Sequence, residues 1–211
     1  MDNQPARIPK LYLLLLAAAG WFALVAQFVL MMQNKTVSSG ETVLRFFSFF
    51  TILTNLLVAV CTTSLLIAPS SRWGIFFNRV PVLTAITVYI TIVGLTYNII
   101  LRSLWSPTGL QKVVDELLHS VIPVLFLIVW IAFVNKRSLA WKLIPYWLIY
   151  PVLYSCWVLL FGSMTGFYPY PFIDVVKLGY TAALMNAGFV LLAFFVLSAL
   201  LVVVGKAVKK Y

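Results

Sequence analysis

Long apolar runs, each separated from the next by a short polar stretch, dominate this sequence. A helix needs about 20 apolar residues to cross a bilayer, and six runs meet that length. They cover residues 11–32, 43–68, 80–101, 113–134, 140–162 and 178–204. Backbone groups inside lipid must be hydrogen-bonded within the protein, so each run is expected to be helical. The sequence therefore predicts an all-α polytopic membrane protein, with one domain of six transmembrane helices over residues 1–211.

The composition excludes an ordinary soluble domain. Hydrophobic residues make up 63% of the chain and charged residues 9%, and the mean hydropathy is +1.04. The net charge of +10 comes from short basic clusters between the apolar runs. Such clusters are typical of the inner surface of a membrane rather than of a nucleic-acid groove. We therefore expect membrane lipids as partners and no nucleic acid.

The basic residues also predict an orientation. If the N-terminus is cytoplasmic, ten lysines and arginines lie inside and five outside, and this bias favours both termini inside. The outer set is Lys35, Arg45, Arg102, Lys112 and Lys177. The short loops are typical of a multi-pass protein of the bacterial inner membrane. No metal site is expected, because the chain has one histidine and two isolated cysteines, Cys61 and Cys156.

The single histidine, His119, opens the fourth apolar run. Histidine is the residue type whose unperturbed pKa lies nearest neutrality, so His119 could act as a proton acceptor, and ionisable residues in membrane spans are usually functional. The alternative is an interfacial histidine that only bonds a neighbour. Asp115 precedes it at the i, i+4 spacing at which a carboxylate can reach an imidazole. Pro123 is expected to kink this helix and free a backbone carbonyl near His119.

Polar side chains form a stripe along one face of the second predicted helix. They are Ser48, Thr51, Asn55 and Thr62. Ser48 and His119 are expected about 6 and 9 Å below the outer ends of their helices, so they can share one layer. A hydroxyl, a base and an orienting carboxylate together make an activated nucleophile. The alternative is helix packing, which explains most such stripes in membrane proteins.

Three motifs narrow the function further. They are RFFSFFTILTN at 45–55, HSVIP at 119–123 and TGFYPYPFID at 165–174. The third is the most specific, because a Thr-Gly followed by Tyr-Pro-Phe, an aliphatic residue and an acid is not a general membrane pattern. Together they resemble the androgen-induced-gene family of membrane hydrolases, in particular its bacterial branch. Between the motifs, the likeness lies in helix order and hydropathy.

The resemblance implies a six-helix fold and hydrolysis of fatty acid esters of hydroxy fatty acids by an intramembrane threonine and a histidine. The histidine falls on His119, and the threonine falls on position 48, where Ser48 keeps the hydroxyl. The histidine-to-proline spacing is one residue shorter than in the family. A small register shift would give the nucleophile's role to Thr51. Ser48 is thus the predicted nucleophile and Thr51 the alternative.

The connection at 163–177 is rich in tyrosine and proline, and the resemblance favours a lid over the site. Tyr170 or Asp174 is expected to contribute polar contacts to the substrate, and Asp174 is the alternate partner for His119. The alternative is that the tyrosines anchor the loop at the membrane interface and that Asp174 is a solvated loop residue. Asn55 could donate to an oxyanion, but a bond to another helix is the safer interpretation.

The sequence therefore predicts an intramembrane lipid-ester hydrolase in the outer leaflet, in which Asp115 orients His119 and His119 activates Ser48. No cofactor is required. A non-enzymatic lipid- or small-molecule-binding protein or transporter is the alternative, in which mid-membrane polar residues would matter more than His119. Those residues are Asn55, Thr91, Asn98 and Asn186. An intramembrane protease ranks third, because the sequence has no Gly-x-Ser-Gly motif.

Overall fold

The computed structural model describes residues 6–104 and 106–208, and this part of the chain contains nine α-helices and no strand. The helices are α1 (Lys10–Gln33), α2 (Ser39–Phe46), α3 (Phe50–Ile67), α4 (Arg72–Phe77), α5 (Val80–Thr96), α6 (Gly109–Glu116), α7 (Ile122–Phe133), α8 (Ile144–Thr165) and α9 (Val175–Val208). One π turn, Tyr97–Leu101, extends α5, and a second, Leu117–Val121, joins α6 to α7. Short 3₁₀ turns occupy Arg102–Leu104, Lys136–Ser138, Trp141–Leu143 and Pro171–Ile173.

Six helical stretches are long and apolar enough to cross a membrane. They are Lys10–Gln33, Phe50–Ile67, Val80–Leu104, Gly109–Phe133, Trp141–Thr165 and Val175–Ala207. The predicted all-α fold class with six membrane-spanning helices is confirmed, and the protein is a multi-pass integral membrane protein. Five of the six stretches differ from the predicted runs by at most a few residues at either end.

The sequence predicted one uninterrupted helix for the second apolar run, but the structure has a break in this run. A turn that contains Ser48 separates the end of α2 from the start of α3. Tyrosine hydroxyls satisfy the first free amides of α3: the N–H of Phe50 donates to Tyr154 at 3.2 Å, and that of Thr51 donates to Tyr170 at 3.3 Å. Every helix start leaves such amides without partners in the helix itself. Ser48 therefore lies before the helix, and the polar stripe on α3 begins at Thr51.

The centre of the bundle is formed by α3 and α5. In their apolar stretches 56% and 72% of the residues are buried, against 22–33% in the other four, whose remaining faces are turned outward. Small residues allow close packing at the crossings, as is common in membrane proteins. Gly20 of α1 lies against Ala59 of α3, and a Cβ added to Gly94 of α5 would lie 3.1 Å from Pro123.

The π turn Leu117–Val121 ends two residues before Pro123, where the sequence predicted a kink. Proline has no N–H, so it cannot bond the carbonyl of His119 four residues earlier. Asn98 of the π turn after α5 donates to that carbonyl at 3.2 Å. Asn55 of α3 donates to the carbonyl of the preceding residue at 3.1 Å. Two asparagines from the central helices therefore hold the segment that carries the histidine.

Candidate active site

A cleft of about 890 Å³ lies at the end of the bundle that carries the loops after α1 and before α6 and α9. This volume is within the range of small-molecule binding sites. Most of the wall is apolar, and the polar side chains come from α1, α2, α3, α6 and the adjoining turns. They include Gln27, Asn34, Lys35, Thr42, Arg45, Thr51, Gln111, Asp115, His119 and Tyr170. The cleft thus joins an apolar cavity to a set of groups capable of acid–base chemistry.

His119 is fixed in the wall of this cleft by two neighbours. Its Nδ1 lies 2.9 Å from the carbonyl oxygen of Asp115 and 3.2 Å from Oδ1 of the same residue. The ring of Tyr97 stacks on the imidazole, with centroids 4.1 Å apart and planes 16° apart. A proton on Nδ1, donated to Asp115, leaves the lone pair of Nε2 free to accept a proton. In this tautomer the imidazole has the geometry of a general base.

Asp115 is buried, and both of its carboxylate oxygens have partners. Oδ1 faces His119, and Oδ2 accepts a hydrogen bond from the hydroxyl of Tyr97. A buried carboxylate needs such partners, since an unpaired one is strongly disfavoured away from water. Beyond them, Arg102 lies 5.2 Å over the Tyr97 ring and is paired with Glu116 at 2.7 Å. The carboxylate therefore has one fixed position relative to the imidazole.

The two candidate hydroxyls lie in different surroundings. Thr51 lines the cleft together with His119, and its Oγ1 is 3.3 Å from the hydroxyl of Tyr170. Ser48 is fully buried, and its hydroxyl donates to the carbonyl of Leu44 at 2.7 Å. Ser48 does not form part of the described wall of the cleft. The structure thus brings the alternative residue, Thr51, to the cleft of the histidine, and leaves the predicted one outside.

The tyrosine–proline loop between α8 and α9 contributes to the same wall. Phe167, Pro169, Tyr170 and Pro171 line the cleft. Burial raises the pKa of Tyr170 above its ordinary value, so its hydroxyl stays protonated at neutral pH and can donate a hydrogen bond. The predicted lid segment therefore adjoins the cleft through Tyr170.

Two other predicted site residues serve the fold. Oδ1 of Asp174 accepts hydrogen bonds from the amides of Val176 and Lys177, which caps the start of α9. Asp174 is not part of the cleft wall in the described chain. Asn55 is also buried away from the cleft and donates to the carbonyls of Thr51 and of the π turn. Its contacts match helix packing rather than donation to an oxyanion.

Tyr97 is the part of the site that the sequence did not reveal. It lines the cleft, stacks on His119 and bonds Asp115, yet it lies 18 residues before Asp115 in the chain. The available signal was a tyrosine at the end of the third apolar run, close to Arg102. Tyrosine is common at membrane interfaces, so this position alone does not indicate a site.

A second, smaller cavity of about 60 Å³ adjoins the cleft. It lies among α3, α5, α8 and α9, and it shares Thr51, Tyr97, Leu101, His119 and Tyr170 with the cleft. The rest of its wall is almost entirely aliphatic and aromatic. The hydroxyl and imidazole therefore face both a mixed cleft and an apolar pocket.

The mid-membrane polar residues of the binding or transport alternative have other partners. Asn55 and Asn98 donate to carbonyls of the histidine's π turn, and Asn186 donates to the carbonyl of Phe172 at 2.9 Å. Neither these asparagines nor Thr91 line the cleft or the smaller pocket in the described structure.

Comparison of the chain with protein-family models, with curated proteins and with solved structures finds no match.

Proposed function

We propose that this protein is an intramembrane hydrolase of lipid esters, with Thr51 as the nucleophile and His119 as the general base. The observation that supports this most is the common cleft of Thr51 and a histidine whose Nδ1 faces a buried carboxylate. Hydroxyl, base and orienting acid are the parts of an activated nucleophile. The resemblance to the androgen-induced-gene family favours the same chemistry. It also favours fatty acid esters of hydroxy fatty acids as substrates.

The proposed reaction has two steps. Thr51 Oγ1 attacks the ester carbonyl carbon while its proton passes to His119 Nε2. The bond to the alcohol oxygen then breaks, and the alcohol leaves with that proton, so that an acyl-threonine remains. Water gives a proton to Nε2 and attacks the acyl-threonine, which releases the carboxylic acid and returns the proton to Thr51. Asp115 holds the imidazole in the required tautomer throughout.

The membrane setting supports a lipid substrate. Most of the surface of the cleft is apolar, and the cleft belongs to a bundle of six apolar helices, so its surroundings suit an ester with long chains. It lies at the end of the bundle whose loops carry Lys35 and Lys177. The distribution of basic residues predicts this end to be outside. In that orientation the enzyme would act in the outer leaflet of a bacterial inner membrane.

A fluorophosphonate probe tests the proposal directly, because it phosphonylates activated serine and threonine hydroxyls with loss of fluoride. We expect the purified protein in detergent to be labelled on Thr51, as located by mass spectrometry of the modified peptide. Labelling is expected to disappear in His119→Ala and to persist in Ser48→Ala. Labelling on Ser48 would reassign the nucleophile. A folded wild-type protein without any label would contradict the proposal.

Tyr170 is expected to assist the nucleophile. Its neutral hydroxyl lies 3.3 Å from Thr51 Oγ1, where it can donate to the oxyanion that forms on the attacked carbonyl. We expect Tyr170→Phe to lower kcat by about 10- to 100-fold, somewhat less than the loss of a dedicated oxyanion donor. Tyr168→Phe is the matched control, since Tyr168 lies in the same loop but outside the cleft wall. Equal rates for Tyr170→Phe and wild type would exclude this role.

A further inference from the structure

The two cavities that meet at Thr51 and His119 differ in the chemistry of their walls. The small pocket presents side chains such as Val158, Ala187 and Leu191. Its one serine, Ser155, donates its hydroxyl to the carbonyl of Pro151 at 2.8 Å, so that group has a partner within its own helix. The pocket therefore offers an almost entirely apolar surface to anything bound beside the hydroxyl of Thr51.

The large cleft offers polar partners as well. Gln27 and Gln111 bond one another across it at 2.8 Å, and Lys35 and Arg45 also line it. Amide and charged groups can bind water and the oxygen of an alcohol, whereas the small pocket has few groups for either. Water for the second step can thus be supplied from the cleft.

We infer that the small pocket binds the part of the acyl half next to the carbonyl of the substrate ester and that the large cleft binds the alcohol half. This assignment rests on the proposed hydrolysis at Thr51. The acyl group stays attached to the threonine after the first step, so it should occupy the side with little access to water. The alcohol leaves through the cleft, and the attacking water replaces it there.

The assignment also predicts what the pocket selects. Lipid tails are as apolar as the pocket wall, so a chain gains little from moving between them, and the pocket discriminates mainly by shape. It is far smaller than the cleft. Substrates are therefore expected to differ more sharply in rate with the size of the acyl group next to the carbonyl than with the size of the alcohol.

Two ester series separate the halves of the substrate. The first varies the acyl chain of p-nitrophenyl esters from acetate to decanoate, and the second varies the alcohol of acetate esters from ethyl to decyl. Ala187→Phe is expected to lower the kcat/KM ratio of decanoate to acetate by roughly tenfold or more, with a change of less than about threefold in the alcohol series. Leu184→Phe, one turn earlier on α9 and outward-facing, is expected to change neither ratio. Leu30→Trp, in the cleft, is expected to act on the alcohol series alone.

The outcomes are distinct. An effect of Ala187→Phe on the alcohol series alone, or on neither series, would overturn the assignment while leaving the hydrolase proposal intact. A wild-type protein that neither hydrolyses the esters nor reacts with the fluorophosphonate would overturn both. Ala187→Leu is a milder change for the same comparison if the phenylalanine variant does not fold. Fluorophosphonate labelling of Thr51 in each variant checks that the site is formed.

Discussion

We expect Thr51→Val to lower kcat/KM for ester hydrolysis by roughly 10³-fold or more, because it removes the attacking oxygen and keeps the shape of the side chain. Thr51→Ser is expected to retain measurable turnover, since it keeps the hydroxyl. The measurement is steady-state hydrolysis of a p-nitrophenyl ester by purified protein in detergent. Retention of wild-type rates in Thr51→Val would exclude an acyl-threonine.

Ser48→Ala is the matched control for this result. Ser48 carries the same functional group three residues away, but its hydroxyl is buried and bonded to Leu44. We expect turnover within about threefold of wild type, and a cost of about 1 kcal/mol in the free energy of unfolding from the lost hydrogen bond. A folded Ser48→Ala variant without activity would return the nucleophile's role to Ser48.

Asp115→Asn is the second substitution with a large expected effect. The amide keeps the size of the side chain but loses the charge that stabilises the imidazolium, and it can bond the wrong tautomer of His119. We expect kcat to fall by roughly 10²- to 10⁴-fold, as when the acid of a catalytic triad is replaced by its amide. The rate is to be measured with the same ester, and melting of the variant in detergent reports whether the fold is kept.

Glu116→Gln provides the comparison for that loss. Glu116 is the next acid in the chain, but it pairs with Arg102 outside the contact between Asp115 and His119. We expect its replacement to change kcat by less than about threefold, because exposed ion pairs contribute little. Equal losses in the two variants would mean that general electrostatics, rather than the orientation of His119, explain the effect of Asp115.

The spans of the fold could be predicted because hydropathy reports them directly. The break between α2 and α3 could not, since the tyrosines that cap α3, Tyr154 and Tyr170, lie 104 and 119 residues further along the chain than their partners. That break decides the place of Ser48. A periodicity argument across an unseen break places Ser48 and Thr51 on one helix face, whereas the structure has Ser48 in the turn before α3 and Thr51 in α3.

The contact between Asp115 and His119 could be predicted from the sequence because both lie on one short helical segment, where i, i+4 neighbours meet. The contacts of Tyr97 with this pair could not be predicted, because they depend on how α5 crosses the segment before α7. Gly94 permits that close crossing, yet a glycine in an apolar run does not reveal which helix will approach it. Local spacing thus predicted the contact between Asp115 and His119, and tertiary packing supplied the contacts of Tyr97 with both.

The bilayer and the candidate site place different requirements on the number of residues in the segment that contains the π turn Leu117–Val121. A π turn contains one residue more than a regular turn, and each residue of an α-helix rotates the chain by about 100°. Deleting one residue there would leave a helix long enough for the bilayer. It would also turn Asp115 and His119 relative to α7 and away from Tyr97. Insertions and deletions in this span are therefore constrained by the direction of side chains rather than by the thickness of the lipid.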